Sequence, residues 1–380
     1  PPTTNTTGAF TYTSSNRLVA TIVDNIITII GVGSCIITAV QASTANSTSA
    51  TITTPFVVTK NTPAITNFSV PEKLFGNAPF KLIPPTSNGN GAFTYTSSDT
   101  SVATINRDMV TIVGIGSSTI TAVQASTANF VSGSITAVFQ VDSGTPVLSG
   151  FVVPTKTALD ASFAIVTPTT NSDGAFTYTS SNTDVATIEG DVVTIIGSGT
   201  STITAEQAST EKYLSGTITA TFTVNPITTV LTNFPALSSA LGNADFTITP
   251  PTTNSDGAFT YTSSRLSVAT ISGDVVTIVG GGTATITAVQ SSTTKYTSAT
   301  ITTQIQVSAL TTVLSNFSVP TKAVGDAPFA ITTPTTNGDG TFTYTSSNTA
   351  VITIVGNMAT IVGAGTATIA AVQSSTPNYS

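Results

Sequence analysis

Apolar and hydroxyl side chains alternate along most of the chain. In the middle of the sequence, Phe176 and Tyr178 alternate with threonines, which is the pattern of a strand with one buried face. The same alternation predicts five strands, at residues 162–166, 175–181, 192–196, 200–207 and 216–224, and two shorter ones, at residues 151–153 and 185–188. No segment keeps the 3.6-residue period of an amphipathic helix. The sequence therefore predicts an all-β protein.

This pattern recurs with a period of 83 residues. The string Gly-Ala-Phe-Thr-Tyr-Thr-Ser-Ser begins at Gly8, Gly91, Gly174 and Gly257, and it returns with one substitution at Gly340. No insertion or deletion interrupts the register, so every loop length is fixed. The period predicts three complete repeats, 62–144, 145–227 and 228–310, between a partial repeat 1–61 without its first strands and a partial repeat 311–380 without its last strand.

About seven short strands per repeat predict a β-sandwich, because two sheets must stack to bury their apolar faces. The linkers span only a few residues, so we expect successive sandwiches to touch and to form an extended rod with centres about 35–45 Å apart. The sequence begins and ends within a repeat. We expect a segment of a longer array, with completion of the end repeats by strands of neighbouring subunits as the alternative.

Composition excludes several classes of function. The chain has no His and no Trp, so imidazole catalysis and His-based metal sites are absent. Ten Lys and Arg against 17 Asp and Glu give a net charge of -7, which disfavours nucleic acid as a partner. Cys35 is the single cysteine, so no intramolecular disulfide can form. No apolar run approaches the roughly 18 residues of a membrane span.

Four motifs of the third repeat resemble the bacterial Ig-like domain of group 2, the tandem module of intimin- and invasin-type surface proteins. They are Tyr178-Thr-Ser-Ser-Asn182, Val185-Ala-Thr-Ile188, Asp191-Val-Val-Thr194 and Gly199-Thr-Ser-Thr-Ile-Thr-Ala205. Their order recurs in all five repeats, although Tyr178 stands where many members of the family carry Trp. The resemblance implies tandem Ig-like sandwiches with a role in cell-surface or virion-surface stalks and adhesins. It implies no shared catalytic or ligand site.

Acidic residues are weak candidates for a metal site. Asp184, Glu189 and Asp191 lie close in sequence, but the first two become Ser267 and Ser272 in the fourth repeat. We attribute the recurring Asp or Asn of this turn to local hydrogen bonding and tolerance of positive φ. The same interpretation covers the residues before the motif glycines: Asn90, Asp173, Asp256 and Asp339. No acidic cluster with calcium-ligand spacing recurs, and we expect no bound metal and no cofactor.

Two other residue types recur with the period. Lys73, Lys156 and Lys322 suggest an isopeptide cross-link, but the fourth repeat has Ser239, and we favour solvated loop lysines. A glutamine ends the same predicted strand in every repeat, where its amide is expected to hold the following loop, contact with a neighbour being the alternative. These are Gln41, Gln124, Gln207, Gln290 and Gln373.

The remaining candidates have simple interpretations. Five asparagines fit the N-glycosylation pattern, namely Asn5, Asn46, Asn67, Asn316 and Asn378, and chance in a chain rich in Ser and Thr explains them. Cys35 replaces Ser or Ala of the other repeats and is expected to be a tolerated small residue. Ranks of threonine suggest ice binding, but threonine is also the polar residue that best suits strands.

We therefore expect a structural stalk or shaft segment of an extracellular or virion-surface filament, without enzymatic activity. The alternative is an adhesin or carbohydrate-binding array, in which Tyr95, Tyr178 and Tyr261 would have to be exposed. The expected partners are further copies of the chain in a multi-chain fibre, because 7% charged residues leave neutral faces that can pack laterally. A cell surface is a second possible partner, through domains outside this sequence.

Overall fold

The computed structural model describes residues Pro1–Ser380 and consists of strands and loops without helices. The chain forms two compact units. The first contains Pro1–Val152, Val166–Tyr178 and Thr204–Thr219, and the second contains Val153–Ile165, Thr179–Ile203 and Ala220–Ser380. The division runs through repeat three. Repeat two lies entirely in the first unit, and repeat four lies entirely in the second.

The first unit contains all strands of repeats one and two. Those of repeat one are β1 (Phe10–Ser14), β2 (Ala20–Val23), β3 (Ile26–Ile29), β4 (Gly33–Gln41) and β5 (Ala50–Val58). Those of repeat two are β6 (Ile65–Thr66), β7 (Lys73–Leu74), β8 (Phe80–Lys81), β9 (Thr86–Ser87), β10 (Phe93–Ser97), β11 (Ala103–Asn106), β12 (Met109–Ile112), β13 (Gly116–Gln124) and β14 (Gly133–Asp142).

The other repeats have strands at equivalent positions. Those of repeat three are β15 (Lys156–Thr157), β16 (Phe163–Ala164), β17 (Phe176–Ser180), β18 (Ala186–Glu189), β19 (Val192–Ile195), β20 (Gly199–Gln207) and β21 (Gly216–Asn225). Those of repeat four are β22 (Leu231–Thr232), β23 (Leu237–Ala240), β24 (Phe246–Thr247), β25 (Thr252–Thr253), β26 (Phe259–Ser263), β27 (Ala269–Ser272), β28 (Val275–Ile278), β29 (Gly282–Gln290) and β30 (Ala299–Ser308). Those of repeat five are β31 (Leu314–Ser315), β32 (Phe329–Ala330), β33 (Thr335–Thr336), β34 (Phe342–Ser346), β35 (Ile352–Val355), β36 (Met358–Ile361) and β37 (Ile369–Gln373).

Repeat two is a sandwich of a four-stranded and a three-stranded sheet. The strand orders are β10-β13-β14-β7 and β11-β12-β8, and a separate short ladder joins β6 to β9. All neighbours are antiparallel except β7 and β14, where Lys73 pairs with Val141 in parallel. The start of the repeat therefore closes against its own last strand.

Repeat four has the same topology. Its sheets are ordered β26-β29-β30-β23 and β27-β28-β24, with β22 paired to β25. The parallel closing pair is longer here, because Leu237 to Ala240 pair in register with Ile305 to Ser308. The same design thus occurs in both units.

The core of each sandwich lies between the two sheets. In repeat two, Ile120 of β13 and Phe139 of β14 meet Val110 of β12, and none of the three is accessible to solvent. In repeat four the equivalent residues Ile286, Ile305 and Val276 are equally buried. The alternation of apolar and hydroxyl residues therefore sorts them to the inner and outer faces of the strands.

The all-β sandwich predicted from the sequence is confirmed. The strands predicted at 175–181, 192–196, 200–207 and 216–224 appear as β17, β19, β20 and β21 with ends shifted by at most one residue, and residues 185–188 appear as β18. The strand predicted at 162–166 shortens to β16. The strand predicted at 151–153 is wrong. Gly150 has a φ of 71° and Pro154 has no N–H, so the intervening segment buries Phe151 and Val153 but joins no ladder.

The hairpin between β18 and β19 corrects the interpretation of its acid. Glu189 pairs with Val192, and the turn consists of Gly190 and Asp191. The positive φ belongs to Gly190, at 61°, and not to Asp191. The equivalent first turn residues of the other repeats also have positive φ, and they are Asp24, Arg107, Gly273 and Gly356. A glycine-first turn is the usual device for a two-residue hairpin of this kind.

We predict that Gly257→Ala destabilises repeat four by about 3 kcal/mol. A Cβ at Gly257 would collide with the backbone carbonyl of Ser291, which cannot move without separating the loop from β26. Gly273→Ala is the control. Its Cβ would meet open space, and only the φ of 64° opposes it, at a cost of about 1 kcal/mol. Hydrogen exchange of peptides from β29, followed by mass spectrometry, measures both losses. Equal losses would contradict the steric explanation.

Candidate functional site

The recurring glutamine forms a side-chain hydrogen-bond network in each repeat. In repeat four, the Gln290 amide donates to the carbonyls of Ser255 and Gly257, at 3.2 and 2.7 Å. Its Oε1 accepts a bond of 2.6 Å from the Thr253 hydroxyl. Gln290 is 1% exposed, so these partners satisfy an amide that water cannot reach. The side chain ties the end of β29 to the loop that precedes β26.

This arrangement, the glutamine bridge, is present in all five repeats. In each one the amide donates to the carbonyl of the first motif glycine, and a hydroxyl two residues after a proline of the preceding loop donates to Oε1. The bridges are centred on Gln41, Gln124, Gln207, Gln290 and Gln373. The glutamine has the expected structural role of bonding loop carbonyls within its own repeat, but the prediction of the loop is wrong: the amide holds the loop before the motif glycine and not the loop that follows the glutamine.

Sequence reasoning missed the partners of the bridge. Asn88 accepts a bond of 2.8 Å from the Ala64 N–H and so fixes the start of repeat two against the loop before β10. Equivalent bonds reach Asn171, Asn254 and Asn337. These asparagines and the hydroxyl donors recur with the same 83-residue period as the glutamine. That recurrence was the signal that could have identified them.

Three aromatic rings lie beside the bridge in each complete repeat. In repeat two, the ring centroid of Tyr95 lies 6.4 Å from that of Phe93 and 6.1 Å from that of Phe68, with ring planes 24° and 30° from parallel. The tyrosines expected to report on a glycan platform, Tyr95, Tyr178 and Tyr261, are half-buried in every case. The rings therefore pack within the sandwich and keep one part accessible.

The tyrosine hydroxyls differ between repeats. In repeats three and five they donate to Thr167 and Thr333, at 3.4 and 3.3 Å. Repeats two and four have Pro84 and Pro250 at that position, which offer no hydroxyl. The Tyr261 hydroxyl is buried without a partner. Burial raises the pKa of Tyr95 and of Tyr261 above the ordinary value, and the nearby charges of Asp108 and Asp274 add to the effect.

The interpretation of the recurring lysines as solvated loop residues is wrong for two of the three. Lys73 and Lys156 are half-buried in the short strands β7 and β15, and Lys322 is exposed in a loop. Each ammonium lies over a phenylalanine ring, at 5.2 Å for Phe80, 5.1 Å for Phe163 and 5.4 Å for Phe329. A cation over a ring face is attracted by its quadrupole, which explains why the lysine covers this end of the core.

The acidic candidates do not converge. Asp184 follows β17 in a loop, whereas Glu189 and Asp191 flank the hairpin glycine. No group of three or more Asp, Glu and Cys side chains in the chain is arranged to hold a metal ion. The expectation of no catalytic, cofactor or metal site stays a prediction.

Two of the other candidates have structural explanations. Asn67 and Asn316 adopt positive φ values of 58° and 56°, and Gly150 and Asn233 do the same in repeats three and four. Asn and Gly are the residues that tolerate this backbone, which accounts for the equivalent pair. Cys35 is buried at 4% exposure in β4, as expected for a small core residue. Glycosylation itself stays untested.

Residues 80–126 match the family model described as "Intimin, immunoglobulin-like domain". They run from β8 of repeat two to the loop after β13, and so contain the three-stranded sheet, β10 and β13 of the four-stranded sheet, and the Gln124 bridge. The expected resemblance to tandem bacterial Ig-like domains is confirmed. No curated protein matches the chain.

Solved structures with similar Ig-like or cadherin-like arrays match at low similarity. Drosophila N-cadherin EC1-4 is 10% identical, covers 80% of this chain and 93% of its own, and has a TM-score of 0.22. Sidekick-1 immunoglobulin domains 1-5 are 10% identical, cover 90% and 85%, and have a TM-score of 0.26. Surface layer protein SbsC, domains 4-9, is 18% identical, covers 99% and 71%, and has a TM-score of 0.21. Scores this low carry no argument about function.

We predict that Gln290→Leu destabilises repeat four by about 3 kcal/mol, because the Ser255 and Gly257 carbonyls lose their donors in a buried place. Gln306→Leu is the matched control, since Gln306 is exposed on β30 and should change stability by less than about 0.5 kcal/mol. Local hydrogen exchange of β26 and β29 in increasing urea gives both values. A small effect at Gln290 would mean that the carbonyls find other donors.

We predict that Tyr261→Phe stabilises repeat four by about 1 kcal/mol, because it removes a buried hydroxyl without a partner. The wild-type repeat should also lose stability as pH rises above about 10, since the unfolded tyrosine ionises before the folded one, whose pKa is raised. The Phe variant should lack this share of the alkaline loss. Tyr178→Phe serves as control in repeat three and should not stabilise, because it breaks the bond to Thr167. Urea unfolding at pH 8 and pH 10.5 tests both statements.

Proposed function

We propose that the chain is a structural stalk segment of an extracellular or virion-surface filament built from tandem Ig-like repeats. In this role the segment spans a distance and resists bending, and it has no enzymatic activity. The proposal rests on the way that the linkers are held, on the neutral surface and on the burial of the aromatic rings.

The main support for this proposal is that every linker forms backbone hydrogen bonds with the repeat that follows it. Gly144 accepts a bond of 2.8 Å from the Leu214 N–H and donates one of 2.9 Å to the carbonyl of Lys212. Asn61, Ile227 and Leu310 make equivalent bridges, each to the aromatic residue 69 positions later. A linker held by two backbone hydrogen bonds cannot act as a free tether, which supports a stiff junction.

Side chains add to the junction between repeats two and three. The Phe75 ring of repeat two meets the Tyr213 ring of repeat three edge-on at 5.4 Å, and the Lys212 ammonium lies 5.1 Å from the Phe75 ring centre. Gly144 lies between them, and a Cβ there would collide with the Phe75 carbonyl. This close packing of neighbouring repeats is what a stalk that resists bending requires.

The surface supports lateral association of several chains. Threonine, serine and apolar residues such as Val138 occupy most outward positions of the long strands, and Lys81 with Asp108 is the single ion pair of the chain. Neutral faces can pack together with little desolvation of charge, and a common period lets each weak contact recur along the length. We therefore extend the proposal to a multi-chain fibre of this chain.

The alternative is an adhesin or carbohydrate-binding array along the whole chain. Such an array needs the same accessible site in every repeat, whereas the tyrosine hydroxyls bond threonines in repeats three and five and the Tyr261 hydroxyl is buried in repeat four. These differences between repeats favour the stalk. A cell surface remains a proposed partner only through domains outside this sequence.

We predict more than one chain per cross-section in the native filament, with an axial spacing of about 35–45 Å between repeats. Mass per unit length from scanning transmission electron microscopy measures the number of chains. Assembly should change little between low and high salt, because few charges take part. A mass corresponding to one chain would contradict the fibre and leave the single stalk, whereas a compact particle without axial repeat would contradict both.

A further inference from the structure

Repeat two carries an open groove of 740 Å³ that the stalk proposal does not use. It lies between β10, the edge strand of one sheet, and the hairpin turn of β11 and β12 in the other. Its floor is aromatic and its rim is charged. This combination suits a small ligand with one apolar face and an ionised group.

The floor consists of Phe93 and Tyr95. Their ring planes lie within 24° of parallel, and both rings are half-buried, so a ligand can reach the part that the sandwich leaves open. Pro84 continues the apolar surface. The C–H face of a sugar ring matches such a surface, because its slightly positive hydrogens face the negative ring face.

The Tyr95 hydroxyl is available to a ligand. In repeats three and five the equivalent hydroxyl donates to a threonine, but repeat two has Pro84 in that place. The pKa of Tyr95 is raised by burial and by the charge of Asp108, so the hydroxyl stays protonated at neutral pH. It can therefore donate a hydrogen bond into the groove.

The rim carries an excess of positive charge. Lys81 forms an ion pair of 3.1 Å with Asp108, and their side chains are 72% and 42% exposed. Arg107 precedes Asp108 in the hairpin turn between β11 and β12. It is exposed and has no ion-pair partner. The chain as a whole has a net charge of -7, so the positive surplus at this rim is opposite in sign to the charge of the whole chain.

These charges are particular to repeat two. The positions of Lys81 are occupied elsewhere by Ala164, Thr247 and Ala330, and those of Arg107 by Asp24, Gly190, Gly273 and Gly356. Three repeats thus have glycine where the backbone needs a positive φ, and repeat two has an arginine there with a φ of 59°. The hairpin itself does not need the guanidinium, which leaves the arginine free for a ligand.

We propose that this groove of repeat two binds an acidic saccharide. The sugar ring packs on Phe93 and Tyr95, the Tyr95 hydroxyl donates to a ring substituent, and Arg107 binds the carboxylate as a planar fork beside Lys81. The inference is independent of the stalk, because a fibre can carry one binding site in one repeat.

The test is isothermal titration calorimetry of the full chain with three probes. They are a tetrasaccharide of alternating glucuronic acid and N-acetylglucosamine, a neutral tetrasaccharide of glucose, and a short glutamate peptide. We expect the acidic saccharide to bind with a Kd below about 1 mM, and the other two to bind at least tenfold more weakly. No binding of the acidic probe would overturn the proposal, as would equal binding of the neutral sugar or of the peptide.

Variants taken from the other repeats assign the site. Arg107→Gly and Lys81→Ala introduce residues that repeats three and five have, and Arg107→Gly also suits the positive φ, so both should fold. We expect Arg107→Gly to weaken binding at least tenfold and Lys81→Ala to weaken it less. Pro84→Thr gives Tyr95 a partner and should weaken binding as well.

The control is Lys295→Asn in repeat four, which removes an equal charge at a position where repeats two and five have Asn129 and Asn378. It should leave the affinity unchanged. An unchanged affinity of Arg107→Gly, with a melting curve like that of the wild type, would overturn the proposal. So would an equal loss in the Lys295 control, because it would show that binding follows total charge.

Discussion

The buried glutamine amide holds together the parts of each repeat that strand pairing does not. Its donors bond to carbonyls of the loop before the motif glycine, and that loop therefore has no need of a strand partner. The glycine is required because the loop passes directly against the chain after the glutamine, where a Cβ would collide with a carbonyl. Glutamine and glycine thus act together. They fix the position of the edge strand, which begins two residues after the glycine.

This constraint explains how the chain folds without an intramolecular disulfide. A sandwich of 83 residues buries a modest core, in which each backbone group left unpaired at a loop costs a noticeable part of the total stability. The asparagines that accept bonds from the start of each repeat serve the same purpose at the other side of the loop. Stability therefore comes from the recurring hydrogen bonds of these glutamines and asparagines, in addition to the apolar core.

The sequence allowed much of this to be predicted, because period and alternation are properties that local residues carry. Alternation predicted β17, β19, β20 and β21 closely, and the period identified the glutamine as a structural residue, although the loop that it holds was predicted wrongly. The predictions from sequence fail where backbone conformation or contacts between distant residues determine the structure. The segment at Phe151 fails as a strand because its flanking Gly150 and Pro154 exclude ladder bonds. The parallel pairing of Lys73 with Val141 of the last strand joins residues far apart in sequence, which no local pattern encodes.

The same reasoning separates positions that build the repeat from positions that are free to acquire a function. The glutamine, its hydroxyl donor and the motif glycine are fixed in all five repeats, since a change in any one leaves buried groups unpaired. By contrast, Pro84, Lys81 and Arg107 differ from repeat to repeat, and each lies where the sandwich tolerates several residues. Their convergence on one open groove does not follow from the demands of folding. In an array of near-identical units, a cluster of such departures around one surface is the feature by which an individual repeat can be distinguished from its neighbours.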